Sequence, residues 1–245
     1  NNVAVIKDGV TYGQFSIDAN GGWTFSLDNT KDEVQHLNTG NSVDLTIPVT
    51  TGDGSTRDIT LTVNGANEII TGRAIDGYIK GATIFADADG DRTLDANEVS
   101  ATTSNDGHYS LSIAQGSQTL GDAVGRLVLK GGSGAIDQAT NLPFKGILEA
   151  PAGSTMVTPL TTLVNKLMDG HGLDLATAMA KVKSTLGIQS NVDFTTFNPI
   201  EAAENNDAAG LEIAATGVTV QNIVVMAAAA KRGAETSDTL DWDTV

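Results

Sequence analysis

The chain has no cysteine in its 245 residues, which removes disulfides, thiolate metal centres and cysteine nucleophiles together. Aromatic residues make up only 4%, too few for the stacking walls of a typical polysaccharide site. Basic residues are scarce as well: 14 Lys and Arg stand against 30 Asp and Glu, a net charge of −16 spread through both halves of the chain. A surface this negative repels phosphate backbones and anionic headgroups, so neither nucleic acid nor a membrane surface is an expected partner, whereas divalent cations are attracted. The longest uninterrupted apolar run, Ile223 to Ala230, falls short of the roughly 20 residues that cross a bilayer, and no membrane insertion is expected. The first residues carry no initiator Met and no basic or apolar leader, as expected of a piece, monomeric in itself, of a longer chain.

With 40% hydrophobic residues, this length predicts two domains rather than one. The first seventy residues alternate polar and apolar with period two. Phe15, Ile17, Trp23, Phe25 and Leu27 flank a turn at Asp18 to Gly22, and Val43, Leu45, Ile47 and Val49 face Ile59, Leu61 and Val63 across Thr51 to Gly54. This predicts about five strands and no helix, with Trp23 packing on a strand. Asn67 to Ala74 reads as a linker. Beyond it, Tyr78-Ile79, Ala82 to Phe85, Tyr109 to Ile113 and Leu127 to Leu129 read as strands, with a turn at Ser104 to Gly107.

From Ala150 the period becomes helical. Thr158 caps a helix that starts at Pro159, shows an apolar face of Leu160, Leu163, Val164 and Leu167, and can close at Gly170. Leu175, Met179, Val182 and Leu186 mark a second helix ending at Gly187, and Asn198 to Glu201 has the form of a capping box. A last helix is expected from about Val220 to Lys231, closed by Arg232 and Gly233, with Met226 to Ala230 facing the core. The expected fold class is mainly β with a C-terminal helical region (α+β). Residues 1–71 form one β module. Residues 72–245 form a second, β over 72–150 and helical, with about four helices, over 151–235.

The strongest chemical signal is Asp87 to Glu98. Carboxylates stand at loop positions 1, 3, 5, 9 and 12 (Asp87, Asp89, Asp91, Asp95, Glu98), and Thr93 at position 7 offers its carbonyl. This is the oxygen spacing that wraps calcium, a hard cation of high coordination number. The bland alternative is a solvated acidic turn, but five acids against one arginine repel one another without a cation. The loop departs from the EF-hand pattern in having Gly90 at position 4 and Arg92 at position 6, where glycine belongs. Its flanks read as strands, so a calcium loop within a β module is expected. Zinc is not, for want of Cys or His in the loop.

Several motifs carry a resemblance. Tyr12 to Asp18, Gly22 to Asn29, Val34 to Leu37 and Gly52 to Gly54 resemble the VCBS repeat, an Ig-like module of long bacterial surface proteins including RTX-type adhesins. Asp76 to Ala86, the acidic loop and Thr103 to Tyr109 resemble calcium-binding B-type repeats, Asp106 being either a further ligand or a turn former. Gly131-Gly132, Pro143 to Gly146, Ala150 to Gly153 and Val157 to Val164 extend a similarity, over residues 75–190, to the calcium-dependent peptide-binding domain of RTX adhesins. The resemblance implies an Ig-like β-sandwich followed by a Ca2+ module, on a secreted bacterial cell-surface adhesin that binds a protein or peptide on a host or neighbouring cell. It also implies capture of a free C-terminus. On so acidic a protein that needs a positive element: the calcium itself, the helix start at Thr158, or Arg126 or Lys130.

Enzyme readings fare worse. His36, His108 and His171 lie far apart outside any metal or triad motif, and Gly131 to Ala135 lacks the closing glycine of a nucleophile elbow. No enzyme is expected. The leading reading is a calcium-dependent adhesive module and the second a calcium-stiffened spacer without a ligand of its own; a polysaccharide-binding or hydrolytic module is a weaker third.

Overall fold

The computed structural model describes residues 2–113 and 125–232. These fall into two units, the first holding residues 2–68 and the second residues 69–111 and 125–232, with Ser112 and Ile113 at a strand end assigned to the first. The division at 68/69 lies three residues before the expected boundary.

In the first unit, β1 (Asn2–Lys7), β2 (Val10–Ile17) and β3 (Trp23–Leu27) form one antiparallel sheet, and β4 (Ser42–Thr50) pairs with β5 (Thr56–Asn64) in another. The expected turn holds because the Asp18 carboxylate accepts the amides of Asn20 and Gly22 at 2.8 and 2.9 Å. Val5, Tyr12, Phe15, Leu45 and Ile47 form a core shared by both sheets. Trp23 stacks on Phe15 with ring centroids 5.8 Å apart, so the aromatic pair spans β2 and β3 as the pattern predicts. The expectation of no helix needs correction. A single turn, α1 (Asp32–Gln35), interrupts the strands and buries Val34 in this core.

The second unit is mixed. Its strands are β6 (Glu68–Ala74), β7 (Ile79–Lys80), β8 (Thr83–Asp87), β9 (Ser100–Thr102), β10 (His108–Ile113), β11 (Arg126–Lys130), β12 (Ile136–Asp137), β13 (Leu142–Pro143), β14 (Ile147–Ala150) and β15 (Met156–Val157). The principal sheet runs β14-β11-β8-β9, with β11 central and Leu127 to Leu129 wholly buried. The turn between β9 and β10 is not a hairpin within one sheet: β9 pairs with β8, whereas β10 joins β6 and β15. Strand β15 falls in the stretch expected to be helical and lies parallel to β6.

Four helices follow: α2 (Pro159–His171), α3 (Leu175–Leu186), α4 (Pro199–Glu204) and α5 (Ala208–Arg232). The caps at Thr158 and Asn198 both form, Thr158 accepting the Thr161 amide at 3.0 Å and Asn198 the Glu201 amide at 3.2 Å, but the reciprocal box closes at Thr158, whereas Glu201 accepts from the Asn198 side-chain amide at 3.2 Å. Helix α2 continues past Gly170 to a left-handed Gly172, whereas Gly187 closes α3 as expected. Helix α5 begins twelve residues before Val220, capped by the Asp207 carboxylate on the Gly210 amide at 2.9 Å. Its Ala208–Ala227 stretch is long and apolar enough to cross a membrane by length and composition alone, with 22% of that window buried. Continuous apolar runs miss it, because Thr216 and Gln221 interrupt them. Met226, expected in the core, is 63% exposed. Gly233 and the tail with Trp242 lie outside the described residues.

Helix α5 reaches back to Ala208 because Gly210 lets it touch α4: a Cβ there would lie 2.4 Å from the Ala203 backbone nitrogen. Propensity alone favours alanine over glycine by about 1 kcal/mol. We expect Gly210→Ala to lower the melting temperature despite that preference, while Gly217→Ala, where a Cβ meets nothing within 4 Å, raises it. Equal shifts of the same sign in a thermal melt would refute the close packing.

Candidate metal centre and ligand cavity

Strand β8 ends in Asp87, which is 0% exposed, and the chain then turns outward through the acidic loop. The loop is shaped by its own carboxylates. Asp87 accepts the Gly90 and Arg92 amides at 2.9 and 3.0 Å, Asp89 accepts that of Asp91 at 3.1 Å, and Asp91 accepts that of Thr93. Oxygens of Asp87, Asp89 and Asp91 converge to within 4.8 Å of one another, and this cluster could hold a metal ion. Three hard carboxylate donors suit a cation that prefers oxygen, and like charges at this spacing repel one another unless a cation joins them.

The carboxylates of Asp95 and Glu98 do not join this group. Glu98 clasps the loop instead, accepting the Ala88 amide at 2.8 Å on one oxygen and the Asp95 amide at 3.0 Å on the other. Asp95 contributes its backbone to that clasp, and Thr93 donates its amide. Asp106 acts as a turn former and ion-pair partner: it accepts from the Ser104 hydroxyl and pairs with Arg73 at 2.7 Å, and both contacts hold its carboxyl well below the usual range.

Arg92, at the position where an EF-hand has glycine, takes the left-handed backbone that position demands, with φ +63°. Its side chain accounts for the residue. The guanidinium donates to Glu149 at 2.9 Å and to Asp169 at 3.1 Å, anchoring the loop to β14 and α2. Glu149 is 0% exposed, and it also pairs with Lys166 at 2.9 Å, accepts from Asn165 at 2.7 Å and meets Arg126 at 3.3 Å. Arg126 in turn contacts Asp169 and, at 3.5 Å, Asp87. Carboxylates of Asp87, Glu149 and Asp169 are thus matched by Arg92, Arg126 and Lys166.

Burial pushes the Glu149 carboxyl up, but the hydrogen bond and charge of Lys166, joined by Arg92, outweigh it and hold the group below its ordinary value. Burial likewise pushes Asp87 up, and there it prevails over the Arg92 and Gly90 amides and the Arg126 charge, helped by neighbouring Asp89. A metal ion at the cluster would oppose that shift. Neither Glu149, Lys166 nor Asp169 was predicted. The one visible signal is an acid inside the apolar run Ile147 to Ala150.

The three candidate positive elements are placed differently. Arg126 is engaged by internal carboxylates and Lys130 lies 5.7 Å from the Phe85 ring centroid. Thr158 lies in the wall of an apolar cavity of about 250 Å³, its hydroxyl holding the α2 cap. The wall is completed by Asp76, Pro159, Phe194, Phe197 and Ile213, among others. Among its described lining residues are neither Arg126 nor Lys130. Asp76 makes no side-chain hydrogen bond or ion pair among the described residues; burial, then the Asp137 charge, raises its carboxyl to about 7.

Removing the Glu149 charge leaves three cations, Arg92, Arg126 and Lys166, against only Asp87 and Asp169 in the network, and Glu149→Gln is expected to cost about 3–5 kcal/mol in a denaturant titration. Because the folded-state value of Glu149 lies below its ordinary 4.5, the stability it supplies is present above that pH and lost as pH falls through the folded value. Melts from pH 6 downward will show this loss in the parent, and the Gln variant will show less of it. Identical acid profiles would rule out the ion network as its source.

Compared with known proteins, the chain matches no family model and no curated protein, so its residues carry the functional argument.

Proposed function

We propose that the second unit is a calcium-binding module of a secreted bacterial surface adhesin, taking a protein or peptide ligand when calcium is bound and performing no catalysis. The convergence of Asp87, Asp89 and Asp91 is the observation that carries this reading. Calcium is favoured over other metals by an all-oxygen donor set in a loop with EF-hand spacing. The apolar cavity beside Thr158 supports a ligand, since a pocket of this kind with few polar groups is the usual form of a binding site. The VCBS-like motifs of the first unit support the extracellular setting, where calcium serves a chain without disulfides as a clamp.

A spacer is the second reading, and one observation favours it. Arg126 and Arg92 couple the loop to α2 and β14, so metal binding would stiffen the module whether or not it had a ligand.

After chelation, calcium titration by calorimetry is expected to show uptake, and a hundredfold excess over Kd to stabilise the fold by about 2.7 kcal/mol. The Asp87→Ala/Asp89→Ala double variant should lose both effects; a variant that binds and melts like the parent overturns the metal assignment. An array of peptides with free and amidated C-termini, probed with calcium and with chelator, separates the two readings. Calcium-dependent capture supports the adhesive module, and silence across the array supports the spacer.

A further inference from the structure

Resting on the peptide-binding reading, we infer that the cavity beside Asp76 receives the N-terminal residue of a partner polypeptide, an apolar side chain in the cavity and its protonated amine on the Asp76 carboxylate. The cavity wall is almost wholly apolar: Pro159, Leu160, Phe194, Phe197, Ile213 and Val218 contribute carbon surface. Asp76 is its acidic exception. A carboxyl group in such surroundings with no hydrogen bond or ion pair among the described residues is costly, and a ligand cation is the group that would compensate it. The neighbouring charge is of the same sign. Asp137, whose carboxylate accepts the Ala139 amide at 2.9 Å and the Thr140 hydroxyl at 2.7 Å, raises the Asp76 carboxyl further.

Size and polarity narrow the ligand. About 250 Å³ is below the roughly 300–1,000 Å³ of small-molecule sites, and suits one bulky side chain with its backbone nitrogen. A lysine side chain would set its ammonium at the end of a thin stem, leaving the aromatic walls unfilled. An N-terminal apolar residue places bulk and charge side by side. A free C-terminal carboxylate in this cavity would meet Asp76, whose charge Asp137 reinforces with the same sign, so a C-terminus would have to be held elsewhere, at the metal.

The test uses the full chain in calcium and tetrapeptides led by phenylalanine, C-terminally amidated, with the amino end either free or acetylated. Fluorescence anisotropy should show the free amine binding, and acetylation weakening it roughly tenfold or more, as expected for loss of a charge-assisted hydrogen bond. Asp76→Asn should abolish that discrimination while melting no lower than the parent. Gly217→Leu adds a side chain at a wall position where a Cβ meets no atom within 4 Å, and should block binding without unfolding the protein. Equal binding of free and acetylated peptides, or an undiminished amine preference in Asp76→Asn, overturns the inference. Phenethylamine binding as tightly as the peptides overturns the assignment to a polypeptide end. If amidated peptides fail but peptides with free C-termini bind, this inference falls and the peptide-binding reading stands; if no peptide binds in calcium, both fall.

Discussion

Glu149 is the group on which the second unit depends. A carboxylate removed from water is expensive, and an isolated one would be protonated or expelled. Here it is ionised because Lys166, Arg92, Arg126 and Asn165 surround it from α2, the acidic loop, β11 and α2 again. The chain also closes around its backbone: the Thr162 hydroxyl accepts the Glu149 amide at 2.9 Å and the Thr161 hydroxyl donates to its carbonyl at 2.8 Å. Three separate stretches, α2, the acidic loop and β11, are thereby held to β14 by one side chain. Such a cluster is a weak source of net stability but a strict specification of geometry, since any displaced partner leaves a buried charge uncompensated.

That specification reaches both candidate sites. Asp87 belongs at once to the candidate metal cluster and, through Arg126, to the buried ion network, so the first candidate ligand stands on a rigid base. Helix α2 presents Asn165, Lys166 and Asp169 to the network from its C-terminal half, while Thr158, Pro159 and Leu160 at its start form part of the cavity wall. One helix of 13 residues therefore positions both the loop anchor and the apolar cavity. The arrangement also explains why an arginine occupies the loop position that favours glycine: its left-handed backbone carries a strain of about 1–3 kcal/mol, offset by ion pairs with Glu149 and Asp169.

Local rules proved legible wherever the governing interaction is short in sequence. The hairpin at Asp18, the caps at Thr158 and Asn198 and the stop at Gly187 each depend on a side chain or glycine acting within a few residues of itself. The acidic loop was legible for the same reason, though its spacing implied five carboxylate ligands and only Asp87, Asp89 and Asp91 converge. Glu98 fits the spacing equally well, but two nearby amides claim its oxygens. The start of α5 escaped detection because Gly210 is poor helix material until the contact with α4 requires it. The buried face of α2 was only half visible, as apolar periodicity marks Leu160 and Val164 but says nothing of Thr161, Thr162 and Asn165, buried because Glu149 needs donors.

By itself, then, the sequence determined the change from a two-residue to a helical period, the caps and turns, and an oxygen-rich loop in a chain without thiols. These are properties of neighbouring residues, and their energies are largely settled before the chain folds. Tertiary structure alone decided that Arg92, Arg126 and Lys166 face inward onto Glu149 rather than outward to an anion, and that Asp76 stands in the wall of an apolar cavity. Those outcomes depend on the dielectric and on partners up to 77 residues away, as between Arg92 and Asp169. A charge read in sequence has a sign, but only burial and its neighbours fix whether it is a structural tie or a site.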